Sequence, residues 1–145
     1  KKEGSIMEYK RFENTIVLRM DRGEEVLETL KEVALKENIK LASVSALGAC
    51  DHFVAGVYNV TEQKYYKNEF NGAFEITSLV GNINTMNGEY YSHLHITCAD
   101  DKAACFGGHL NEARISATCE MFINIIDGSV DRYKDEVTGL NLFKF

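Results

Sequence analysis

Three of the four histidines fall between positions 93 and 109, in Ser92-His93-Leu94-His95-Ile96-Thr97 and Gly107-Gly108-His109-Leu110. In a strand, residues two apart share a face, so His93 and His95 project the same way. Strand neighbours of this kind can reach one ion at the ~2.0–2.1 Å of a zinc–nitrogen bond. Residues 99–104 are polar and short enough to turn the chain back, and the glycine pair lets the returning backbone approach closely. That return would deliver His109 to the same place. Three imidazoles with an open fourth position is a catalytic rather than a structural zinc arrangement. Zinc suits neutral imidazoles, with nickel and copper as alternatives. The plainer reading of the same residues is a set of satisfied histidines on a half-buried sheet face.

Other reactive side chains surround this constellation. Cys105, four residues before His109, is either a further ligand, a nucleophile or a packing residue. Strand parity turns Cys98 away from the histidine face, and Cys119 lies on the apolar face of a later strand. Glu75 and Glu120 are isolated acids within apolar strands. A buried carboxylate is costly unless paired, so each is a candidate partner for a ligand or a general base. A solvated sheet face is the simpler account of either one. His52, beside Asp51, stands apart from the other histidines. The chain has no GxxxxGK[ST], GxGxxG or GxSxG, so phosphate-loop, dinucleotide and nucleophile-elbow chemistry have no sequence basis. The pair Tyr65-Tyr66 between Lys64 and Lys67 reads as a solvated hairpin edge more simply than as a base-stacking platform.

The elements that must position these residues are mostly strands. The β-branched, apolar residues 15–20 form one. Asp21 and Glu24 have capping-box spacing, and Val26, Leu27, Leu30, Val33 and Ala34 share one face of a helix over 23–37. Beyond Asn38 the pattern turns to period 2, with strands over 41–47, 53–60, 74–81, 92–98 and 115–126. Gly48, Asn71-Gly72, Asn87-Gly88 and Gly107-Gly108 punctuate them, as they must in a chain with no proline. One helix followed by many strands is an α+β fold with a largely antiparallel sheet.

At 145 residues the chain has the size of one domain, read here as residues 7–145. Residues 1–6 are polar and carry no apolar core of a signal peptide; they read as an extension or cloning remnant before Met7. No apolar run approaches the ~20 residues of a membrane helix. The four cysteines show no CxxC spacing, which fits reduced thiols in the cytoplasm. The net charge of −6 opposes direct duplex binding, because phosphate neutralisation supplies much of that affinity.

Several ordered pieces extend the reading: Leu18-Arg19, Gly23-Glu24, Val44-Ser45-Ala46-Leu47-Gly48, Gly72-Ala73-Phe74-Glu75-Ile76, Ser78-Leu79-Val80-Gly81, His93-Leu94-His95-Ile96, Gly107-Gly108-His109-Leu110 and Thr118-Cys119-Glu120. From about Val17 onward the chain resembles the PPC (plants and prokaryotes conserved) domain family. The resemblance implies an α+β domain that assembles as a homotrimer. Plant members carry the domain beside AT-hooks, and there the hook contacts DNA while the domain mediates assembly and partner binding. A chain without proline has no RGRP hook core, so DNA association reaches this sequence chiefly as a family label.

The family is also similar in fold to acetolactate decarboxylase-type proteins, which hold zinc with an HxH strand pair and a later histidine. His93, His95 and His109 match that order. Ala103-Ala104-Cys105 departs from a turn that commonly bears glycine. The implied function is a stand-alone, bacterial-type trimeric module, DNA-associated or regulatory, with a three-histidine zinc site. The alternative is a zinc-dependent enzyme, decarboxylase- or hydrolase-like, acting on a small carboxylate or ester with Glu75 or Glu120 as proton shuttle. A purely structural trimer is the third reading.

Overall fold

The computed structural model describes residues 7–145; residues 1–6 lie outside the described residues. A first hairpin, β1 (Glu8–Phe12) and β2 (Thr15–Asp21), leads into helix α1 (Val26–Lys36). Four long strands follow: β3 (Ala42–Asn59), β4 (Lys64–Met86), β5 (Glu89–Ala99) and β6 (Cys105–Ile125). A short hairpin, β7 (Asp131–Lys134) and β8 (Asn141–Lys144), ends the chain. The six-stranded sheet runs β1-β2-β6-β3-β4-β5 with every pairing antiparallel. The start of β6 also pairs with β5, so β3, β4, β5 and β6 close into a ring. The α+β, antiparallel expectation is met.

The helix starts later than the sequence pattern suggests. Glu25 is its N-cap and accepts the Leu27 and Glu28 N–H groups, while the Glu24 carboxylate takes the Asp21 N–H instead. Val26, Leu30, Val33 and Ala34 bury the helix against the inner face of the sheet, among Leu18, Met20, Cys119 and Met121. The expected strands over 41–47 and 53–60 form one strand, β3, because register shifts at Gly48 to His52 absorb the break in period. β1 and the terminal hairpin lack an alternating apolar pattern that the sequence would reveal. Among the described residues, no helix is long and apolar enough to cross a membrane.

The sheet's other face positions the site. Residues opposite one another in register share a face. One such row crosses the whole sheet: Lys10, Val17, Phe122, Ser45, Val80, His95 and His109. Val17, Val80 and Phe122 are exposed there, as is Leu47 in the next row.

Candidate metal centre

His93 and His95 leave β5 on this outer face, and β6 brings His109 directly opposite His95. The close return depends on glycine. A Cβ on Gly108, at φ 154°, would lie 2.5 Å from the Gly56 carbonyl oxygen, and one on Gly107 would collide with that of Ile96. The ring nitrogens His93 Nε2 and His95 Nε2 are 3.2 Å apart, and one ligand nitrogen from each of the three rings lies within 4.8 Å of the others. An ion about 2.0–2.1 Å from each nitrogen places neighbouring nitrogens roughly 3.4 Å apart, so the His93–His95 pair already has close to the right span. The donor set therefore fits a zinc-like ion.

Burial, then the neighbouring His109 and His95 and the charge of Arg132, push His93 down to about 4. Burial and then His95 lower His109. Both rings are thus neutral at pH 7, the form that ligates a metal.

The rings form the floor of a cleft of about 640 Å³. Tyr58, Tyr65, Tyr91, Leu140 and Asn141 line it. Tyr65 meets His109 edge-on at 6.1 Å between ring centres and donates its hydroxyl to Asn111 Oδ1 at 2.6 Å. Gly56 leaves the space that the Tyr65 ring occupies. The terminal hairpin is held over the sheet by Arg132, buried at 6% exposure. Its Nε and Nη2 donate to Asn84 Oδ1 and Asn82 Oδ1, both at 2.9 Å, and Nη1 donates to the Asn141 carbonyl at 2.8 Å. The guanidinium lies over the Tyr91 and Phe143 rings at 4.7 and 4.5 Å. Tyr91, two residues before His93, had the parity to be placed in the site from sequence. Arg132 and Asn141 carry no such signal.

The other candidates stay outside. Glu120 is exposed opposite Arg19 and Leu47, three strands from His95 and roughly 14–16 Å away across the sheet. Glu75 is exposed opposite Ala99, four residues along β5 from His95, or roughly 13 Å. Neither reaches the histidines within one chain, so the expected proton shuttles are not where the chemistry would need them. Cys105 also pairs with Ala99, at the far end of the β5–β6 ladder from His109, and is exposed. Cys98 and Cys119 are fully buried, and Cys98 Sγ lies 3.7 Å from Cys50 Sγ. His52 joins a separate polar group with Asn71, Glu69 and Glu112.

The Plants and Prokaryotes Conserved (PCC) domain pattern matches residues 7–127. This chain belongs to that family. Among solved structures, this plants-and-prokaryotes-conserved domain is similar to a "putative DNA binding protein" from Bacteroides thetaiotaomicron, at 26% identity and TM-score 0.94 over 97% of this chain and 99% of that one. It is similar to a metal-containing protein from Archaeoglobus fulgidus, at 30% identity and TM-score 0.86 over 97% and 99%. A Staphylococcus aureus protein of unknown function, described as similar to alpha-acetolactate decarboxylase, shares the fold at 16% identity and TM-score 0.54. That likeness covers 84% of this chain and 56% of the other. No curated protein matches the chain.

Proposed function

We propose that residues 7–145 form a single-domain, trimeric regulatory module of the plants-and-prokaryotes-conserved family, with a zinc ion held by His93, His95 and His109. The observation that carries this reading is the convergence of three imidazole nitrogens within 4.8 Å on the floor of a cleft. The Archaeoglobus relative, described as metal-containing, supports a metal here, and neutral imidazoles favour zinc. The trimer is supported by the exposed apolar row of Val17, Val80 and Phe122, which a second copy would bury. Free cysteines suit a reducing compartment such as the cytoplasm. DNA association is supported by the description of the Bacteroides relative and opposed by the net charge of −6.

Elemental analysis of tag-free protein tests the metal. Near-stoichiometric zinc that His95→Ala and His109→Ala both lose supports the site, and wild type that stays metal-free after zinc is added overturns it. A gel-shift series at rising salt tests DNA; no retardation at low salt removes that role.

The second reading is a zinc-dependent enzyme acting on a small carboxylate or ester, favoured by the tyrosine-lined cleft over the rings. Glu75 and Glu120 take no part in it within one chain. Metal-dependent turnover across a panel of 2-oxo acids, 2-hydroxy acids and simple esters would support it, and none would end it.

A further inference from the structure

We propose that the cleft over the histidines takes a small carboxylate, one oxygen of which accepts a hydrogen bond from the Tyr91 hydroxyl. The proposal rests on the metal reading above. For a regulatory module the carboxylate is an effector; for an enzyme it is the substrate.

Charge carries the first half. Among the described residues, those lining the cleft include no aspartate or glutamate. Arg132 sets its guanidinium 4.7 Å from the ring centre of Tyr91, which lines the cleft, and donates to neutral oxygens of Asn82, Asn84 and Asn141. A buried guanidinium is ordinarily matched by an acid, and this one is matched by amides and two aromatic faces. A divalent ion on three neutral imidazoles adds two further positive charges. The acidic chain thus surrounds a positively charged pocket, and a small anion is the ligand that balances it.

Orientation carries the second half. The Asn141 amide donates to Tyr91 Oη at 3.3 Å, so an oxygen lone pair is occupied and the phenolic proton is left to donate elsewhere. Tyr91 faces the same side of β5 as His93, about 7 Å along the strand. A planar carboxylate can place one oxygen toward the imidazoles and the other toward Tyr91. The cleft volume of about 640 Å³ and its walls of Tyr58, Tyr65 and Leu140 suit a compact organic acid rather than a nucleic-acid backbone. Asn141 is a positioning residue, acting through Tyr91.

Cobalt-loaded protein tests this, since the visible absorption of cobalt(II) reports its coordination. Acetate, pyruvate, acetamide and inorganic phosphate are titrated into wild type, Tyr91→Phe and Asn141→Leu, with cobalt content measured for each. The expected result is a saturable spectral change with acetate or pyruvate. Tyr91→Phe and Asn141→Leu weaken it about five- to tenfold at unchanged cobalt content, the loss of about one hydrogen bond. Equal affinity in Tyr91→Phe and wild type overturns the tyrosine contact. An equal response to acetamide, or a response to phosphate alone, overturns the carboxylate. A protein that binds cobalt but ignores all four probes overturns this proposal while leaving the metal site standing. Failure to bind cobalt removes the metal reading, and this proposal with it.

Discussion

His95 and His109 stand directly opposite each other across the β5–β6 pair, although β6 spends most of its length beside β2 and β3. The two strands meet there because Gly107 and Gly108 present no side chain to the crossing backbones. Gly108→Ala would set a methyl group 2.5 Å from the Gly56 carbonyl oxygen, at a φ of 154° that side chains rarely adopt. The expected cost is about 2 kcal/mol, a melting temperature lower by about 4–8 °C. Thermal unfolding beside metal content reads both effects, and an unchanged melting curve would show that β6 needs no glycine at this crossing.

A bound ion that recognises only the folded chain stabilises it by mass action, by about 2.7 kcal/mol at a hundredfold excess over its dissociation constant. Chelation should therefore lower the melting temperature of zinc-loaded wild type by about 5–10 °C. His95→Ala, lacking one ligand, should melt at the same temperature with and without chelator. A chelator shift that survives in His95→Ala would place the ion elsewhere.

Phe122 is 47% exposed at the middle of the outer sheet face, between Val17 and Ser45 in register. Burying such a ring is worth about 1.5–3 kcal/mol per copy. Sedimentation of wild type should give three times the 16.3 kDa chain mass, and Phe122→Glu should shift it toward the monomer. A trimer that tolerates Phe122→Glu assembles through another surface.

The fold is most legible in the sequence where periodicity is local. The alternation of Ile115, Cys119, Met121 and Ile123 and the helical stripe of Leu30, Val33 and Ala34 both lie where their patterns place them, buried in the core. Ala117 breaks the pattern and is exposed, because three β6 residues span the gap between Ile115 and Cys119 that Cys50 and Gly48 close with one. A bulge has no signature in hydropathy. The histidines were legible as a group because two of them share a strand. The cleft above them was not, since its far wall is a terminal hairpin whose attachment rests on Arg132 reaching Asn82 and Asn84, about fifty positions earlier in the chain. Long-range polar contacts of that kind leave no periodic trace.

Thiol reactivity offers a check on the packing. Cys50, Cys98 and Cys119 are fully buried, and only Cys105 is exposed. Burial first, then Cys50 and Glu120, push the Cys119 thiol up to about 12, and contact with Cys50 followed by burial also raises Cys98. A thiolate-directed reagent should modify one cysteine per native chain, at Cys105, and all four after denaturation. Rapid native labelling of Cys98 would mean that the ring of β3, β4, β5 and β6 opens readily.

His52 should make stability depend on pH in a direction its contacts fix. Asn71 uses its amide nitrogen toward Glu69, so its oxygen faces His52 Nδ1 at 2.8 Å, while Glu112 Oε2 faces Nε2 at 3.0 Å. Both ring nitrogens meet acceptors, and only the doubly protonated ring satisfies both. The hydrogen bond to Asn71 raises the folded-state value; burial opposes it, and Glu112 and Glu69 add to it. A raised value means that the contribution is present in full below the ordinary histidine range and is lost as pH rises through the folded value. The melting-temperature gap between wild type and His52→Gln should therefore be widest near about pH 5 and shrink by about pH 9. A gap equal at both ends would mean that the ring is held as neutral imidazole, with one of its two acceptors unserved.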